Sequence, residues 1–170
     1  MVRDQICCFT GHRPEKLPWG REESDPRCQA LKDRLAHAVE AHHQKGCNYF
    51  LCGMARGCDL YFAEAVLQLR LRCPDIALHA VIPCPNQALR WSKPDRERYE
   101  RILSQCDCES LIQQHYDPGC MQRRNRFMVD HSAHLIAVYN GIPKGGTAGT
   151  ILYAMRQGLS VTILDLEESH

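Results

Sequence analysis

Short apolar runs alternate with helical patterns from one end of the chain to the other, and this alternation constrains the fold more than any other feature. Strand-like runs stand at residues 5–9, 48–52, 76–82, 109–113, 134–138 and 160–164. Between them lie patterns of helical period at residues 26–45, after Asp59, and at 94–104, 121–131 and 147–157. In the first helix Cys28, Leu31, Leu35, Ala38 and Val39 share a face, and Gly46 is placed to end it. In the second, Asp59 is a natural N-cap, and Leu60, Ala63, Leu67 and Leu71 form the apolar stripe. Such alternation implies right-handed strand–helix–strand units. The expected fold class is α/β, with a mainly parallel sheet and helices on both faces.

The chain shows no internal repeat, linker or low-complexity segment, so residues 1–170 are expected to form a single Rossmann-like domain. The strand order 3-2-1-4-5-6 is the first expectation for such a sheet. In an open parallel sheet, ligands bind beyond the carboxyl ends of the strands, where the strand order reverses.

Three distinctive segments fall at such ends. They are Thr10-Gly11-His12-Arg13-Pro14, Gly53-Met54-Ala55-Arg56-Gly57-Cys58-Asp59, and Gly145-Gly146-Thr147-Ala148-Gly149-Thr150. Glycine lets the backbone approach a ligand closely and adopt positive φ. The first turn of a helix offers unpaired N–H groups and partial positive charge, which suit phosphate or carboxylate. Thr147 and Thr150 can add hydroxyls, and Arg13 and Arg56 can neutralise phosphate. Taken singly, each glycine need only close a tight turn. Three such loops on one edge favour a ligand crevice. Neither G-x-G-x-x-G nor G-x-x-x-x-G-K-[ST] occurs, so a usual dinucleotide site or P-loop is not supported.

Other residues widen the candidate set. Trp91 can stack on a base or close the core beneath its loop. Arg123 and Arg126 share a helix face, and Asp130 stands where it can pair with Arg126. Asp59, Glu64, Asp117 and Asp130 are the carboxylates available for catalysis.

Composition removes several function classes. With 21 basic and 20 acidic residues the formal charge is +1, which argues against a general polyanion binder. No apolar run approaches the ~18 residues that span a bilayer. The apolar stretch near Arg3 is shorter than the roughly 7–15 residues of a secretory signal. A cytoplasmic protein without a membrane partner is expected. The eleven cysteines are odd in number and contain no Cys-x-x-Cys, so reduced thiols are expected, with Cys7, Cys8 and Cys52 acting as small hydrophobes. The nine histidines are scattered, and His42-His43 has no ligand-spaced partner, so no metal is expected.

These residues also carry a resemblance. Gly53-Met54-Ala55-Arg56-Gly57-Cys58-Asp59, with Ala63, Glu64 and Leu67 behind it, resembles the G-x-A-R-G-x-D segment of the DprA/Smf proteins. Residues 145–150 resemble the glycine-threonine loop of LOG-type phosphoribohydrolases. Both groups belong to the SLOG superfamily, whose YpsA-like branch is the nearest match. The match there runs through Thr10–Pro14, Trp91, Asp95-Arg96, Arg98-Tyr99, Arg124-Asn125-Arg126-Phe127-Met128-Val129-Asp130 and Gly145-Gly146-Thr147. The resemblance implies a Rossmann-like fold, a nucleotide or ADP-ribose-like ligand, and a link to stress response. LOG enzymes carry P-G-G-x-G-T-x-x-E, with a catalytic glutamate. Here the run has one extra residue, and Tyr153 stands at the glutamate's place.

Three functions follow as expectations. The first is a sensor or regulator that binds a small phosphorylated, nucleotide-derived ligand without turnover. The second is a hydrolase cleaving an N-glycosidic or phosphate bond of such a ligand. The third is a single-stranded nucleic-acid binder using Arg13, Arg56, Arg123, Arg126 and Trp91. No cofactor beyond the nucleotide-like ligand is expected, and a homo-oligomer is.

Overall fold

The computed structural model describes residues 2–166; the polar tail at 167–170 lies outside the described residues. Six strands form one sheet: β1 (Ile6–Thr10), β2 (Tyr49–Cys52), β3 (Ala77–Ile82), β4 (Cys108–Leu111), β5 (His134–Tyr139) and β6 (Ser160–Asp165). Five helices connect them: α1 (Pro26–Gln44), α2 (Cys58–Arg70), α3 (Lys93–Leu103), α4 (Cys120–Asp130) and α5 (Gly146–Arg156). Every strand pairing is parallel, with Cys7 opposite both Phe50 and His134 in the central register.

The strand order is β4-β3-β2-β1-β5-β6, which corrects the expected 3-2-1-4-5-6. The chain takes one more outward step before reversing, so β4 lies beyond β3 and not beside β1. The reason is in β4 itself. Its Cys108, Glu109 and Leu111 are exposed, and a strand this polar suits an edge, not a centre buried on both faces. The reversal therefore falls between β1 and β5.

Right-handed connections then dictate the layers. The three units stepping outward from β1 share one face and bring α1, α2 and α3 together. The return to β5 and the step to β6 put α4 and α5 on the other. Side chains along the strands alternate accordingly. Cys7, Phe9, Phe50, Leu78 and Ile136 pack in the α1–α3 layer, and Cys8, Leu51, Val81, Leu135 and Ala137 in the α4–α5 layer. Burial on both faces is why the inner strands read as continuous apolar runs.

The eleven cysteines are unpaired, and Cys7, Cys8, Cys28, Cys52 and Cys58 are fully buried in these layers. Burial pushes the Cys8 thiol up to about 12, so it packs as a small apolar group. Among the described residues, no group of three or more His, Cys, Asp or Glu gathers to hold a metal. No helix among them is long and apolar enough to cross a membrane.

The helix starts differ in a way that shapes the site. Asp25 caps α1 by accepting from Arg27 N–H, and Ser92 caps α3 by accepting from Asp95 N–H. α2, α4 and α5 start at Gly57, Gly119 and Gly145, which bring no capping side chain. Asp59 is therefore not the expected N-cap: it sits inside the first turn of α2, and Gly57 holds the cap position. Leu71 lies past the end of α2 and is exposed, so it is no part of the buried stripe, whereas Leu60 and Ala63 are buried.

Candidate functional site

The carboxyl ends of β1 and β5, where the strand order reverses, open into a crevice of about 530 Å³. Its walls come from the loop after β1, the loop after β2, and the starts of α4 and α5. Of the ligand candidates, the fold gathers Thr10, Gly11, His12, Arg13, Arg56, Asp59, Gly146 and Thr147 here.

Close backbone packing holds the first two loops together. Cys58 N–H donates to the His12 carbonyl at 3.1 Å. Gly57 has φ +87°, and a Cβ there would sit 2.8 Å from the same carbonyl oxygen. A Cβ on Gly11 would fall 2.6 Å from Cys58 Cβ. Between them Met54 is buried with φ 61°, an uncommon backbone for a residue bearing a side chain.

Arg124 fastens α4 to the β2 loop. It is buried, and its Nη1 donates to the Gly53 carbonyl while its Nε donates to Asn125 Oδ1 at 2.8 Å. A Cβ on Gly53 would lie 2.5 Å from that guanidinium and would push it aside from the Gly53 carbonyl. Gln87 Nε2 supports the loop by donating to the Gly53 and Met54 carbonyls at 3.3 and 3.4 Å. Reading the sequence missed Arg124 as a site residue and singled out its neighbours. The signal was present in its spacing: Cys120, Arg124 and Met128 recur every four residues and are all buried.

Asp59 forms the floor. Its Oδ2 accepts from Ala55 N–H at 3.0 Å. Burial pushes its carboxyl above the usual carboxylate range, against the opposing pull of Arg124 and the Ala55 N–H. His12 Nε2 accepts from Asn140 N–H at 3.1 Å. Burial holds its imidazole below the usual value, and Lys16 adds to that, so it is neutral at pH 7. At the mouth stand Arg13, Lys16 and Arg56, of which Arg56 is paired with Glu15 at 3.0 Å. Four basic side chains against two acidic ones leave the crevice electropositive.

A second groove of about 500 Å³ runs along α4 and α5 and shares Met121, Asn125 and Gly146 with the crevice. Gly145, Thr150 and Arg126 line it. Thr150 Oγ1 donates to the Gly146 carbonyl at 2.8 Å, so its hydroxyl hydrogen is spent within α5.

The remaining candidates lie elsewhere. Gly53 and Gly57 form the loop behind the crevice and do not line it. Trp91 packs edge-on against Tyr99 with ring centroids 5.3 Å apart, and carries the Arg56 guanidinium over its face at 5.8 Å. Arg123 turns outward to Asp117 and Gln113. The Trp91 and Arg123 of the nucleic-acid reading are thus not brought into the crevice. Glu64 pairs with Arg98, which also holds Glu23, on the α1–α3 side. Asp130 accepts from the Tyr153 hydroxyl at 2.6 Å, and in place of the anticipated Arg126–Asp130 pair Arg126 Cζ lies over the Tyr153 ring, 5.2 Å from its centroid.

Comparison with known proteins matches this architecture. The YpsA family model, described as the YspA SLOG family, matches residues 7–166. A UPF0398 protein of Bacillus pumilus (strain SAFR-032) is 30% identical over 146 residues, covering 82% of this chain and 78% of that relative. The UPF0398 protein YpsA of Bacillus subtilis (strain 168) is 27% identical over 143 residues, covering 83% and 79%. A UPF0398 protein of Bacillus thuringiensis (strain Al Hakam) is 27% identical over 156 residues, covering 91% and 84%. A family match along nearly the whole described chain, joined to a relative at this identity and coverage, places the chain in the YpsA family of SLOG proteins.

Proposed function

We propose that the crevice binds a nucleotide or nucleotide-derived, ADP-ribose-like ligand through its phosphates, and that the protein acts as a sensor or regulator. One observation carries this reading: two helix starts without capping side chains, those of α4 and α5, meet Arg13, Lys16 and Arg56 at the point where the strand order reverses. Uncapped N–H groups and partial positive charge at a helix start complement phosphate oxygens. Membership of the SLOG family supports a nucleotide-related ligand.

Thermal unfolding against a panel of nucleotides, NAD and ADP-ribose, with reductant present, tests the proposal. A ligand at ~100 times its dissociation constant adds about 2.7 kcal/mol of stability. Gly146→Ala puts a methyl into open space, where no atom lies within 4 Å, so the fold tolerates it while the ligand meets it. The expected outcome is a shift that Gly146→Ala and Arg13→Ala both reduce. No shift across the panel removes the proposal.

Hydrolysis of the same ligand is the second reading, and Asp59 favours it. Of the four carboxylates singled out in the sequence, Asp59 alone lines the crevice, and its raised pKa suits a general acid. Breakdown of a bound ligand, followed by chromatography and abolished by Asp59→Asn, would establish turnover; binding without breakdown leaves the sensor role.

A further inference from the structure

We infer that the groove between α4 and α5 is a second anion subsite, and that the ligand is a nucleotide bearing a second phosphate set apart from the first. This rests on the crevice holding the first phosphate group. The two spaces share Met121, Asn125 and Gly146, so one elongated ligand can occupy both.

The groove has its own character. Two arginines, Arg126 and Arg156, line it, and among the described residues no carboxylate does. Neither arginine has an ion pair among the described residues, whereas Arg56 at the crevice mouth and Arg123 on the same helix as Arg126 are paired with acids. Arg126 Cζ lies over the Tyr153 ring, 5.2 Å from its centroid, and Asp130 fixes that ring by accepting from its hydroxyl. A guanidinium held over a ring by cation–π attraction, with no acid paired to it, keeps N–H groups available for bidentate contact with an anion such as phosphate.

The wall between the two charged ends is neutral. Met121, Leu152 and Tyr153 offer apolar surface, with Leu152 exposed in the free chain. Gly149 lies inside α5 on the groove, and a Cβ there would touch nothing within 4 Å. Glycine inside a helix costs stability relative to alanine, and the packing of this chain does not require it. Its presence keeps the helix backbone open to a close, flat neighbour. From Gly146 to Tyr153 the helix rises about 10 Å, a span suited to a nucleoside joining two anionic groups.

The test is calorimetric titration with two matched pairs, AMP against adenosine 3′,5′-bisphosphate and NAD against NADP. It uses the wild-type chain and Arg126→Gln/Arg156→Gln, both of whose positions are exposed. In the wild type the extra phosphate of at least one pair should tighten binding by ~10-fold or more, the worth of one charge-assisted contact. The double variant should lose that gain and still bind the partner lacking the phosphate with wild-type affinity. If AMP or NAD binds and the extra phosphate adds nothing in either pair, or if the gain survives in the double variant, the second subsite is overturned while the crevice stands. If no member of either pair binds, the crevice reading fails for these nucleotides and the second subsite falls with it.

Discussion

The glycines of the β1 and β2 loops and those of α5 gather around the crevice and the groove beside it, yet for opposite reasons. At Gly11, Gly53 and Gly57 a side chain has no room: a Cβ would meet Cys58, the Arg124 guanidinium or the His12 carbonyl at 2.5–2.8 Å. At Gly146 and Gly149 a side chain would meet nothing within 4 Å. The first group lets the chain pack against itself. The second leaves room beside the chain, which the folded protein does not fill. A glycine motif thus carries two kinds of information, and only the surrounding packing separates them.

Three experiments press on that contrast. The largest effect is expected at Gly57→Ala, which combines φ +87° with backbone overlap; urea unfolding should show a loss of about 3 kcal/mol or more. A loss below ~1 kcal/mol would mean that the loops can part easily, and the contrast would weaken.

The next effect depends on pH and concerns the floor that the packed loops create. Burial raises the Asp59 carboxyl in the folded chain, so between its unfolded and folded pKa values the folded state binds more protons. Stability from this group is therefore greatest below the unfolded value and declines as pH rises through the folded one. Asp59→Asn removes the decline. The variant should gain on the wild type as pH rises above about 4, the ordinary carboxylate value, in urea-midpoint measurements. A difference independent of pH would show that Arg124 and the Ala55 N–H fully offset the burial.

The smallest effect is expected at Gly149→Ala. With open space around it, the change should stabilise the free chain by about 0.5–1 kcal/mol. The same variant should weaken any ligand that lies on α5. Destabilisation would show that Gly149 serves the fold.

Much of this is legible in the sequence. Strand–helix alternation marks each of the six strands and five α-helices to within a few residues, because strands buried on both faces read as apolar runs and helices as periodic ones. The three glycine loops are recognisable from their place after strands. The expected strand order fails because it puts a general pattern ahead of local polarity; the polar pair Glu109 and Ser110 suits β4 to an edge. Arg124 is easily overlooked because charge suggests surface, although its period with Cys120 and Met128 points inward. Which glycines face space cannot be read from the sequence at all, since it depends on atoms brought from distant segments: Arg124 meets Gly53 across 71 residues of chain.

The late reversal of strand order also bears on how the protein assembles. The connection through α4 must travel from one edge of the sheet to the far side of β1 before Arg124 can reach Gly53. The segment up to β4 and the segment from α4 onward are thus two halves of a clasp, and the crevice exists only when it is shut. Closing so long a loop is an entropic burden that local contacts do not relieve. A ligand bound across the crevice would touch both halves and favour the folded form, in which they meet. Occupancy would then be read out through the whole chain, as slower hydrogen exchange in α4 and β5 and greater resistance to proteolysis between residues 112 and 119.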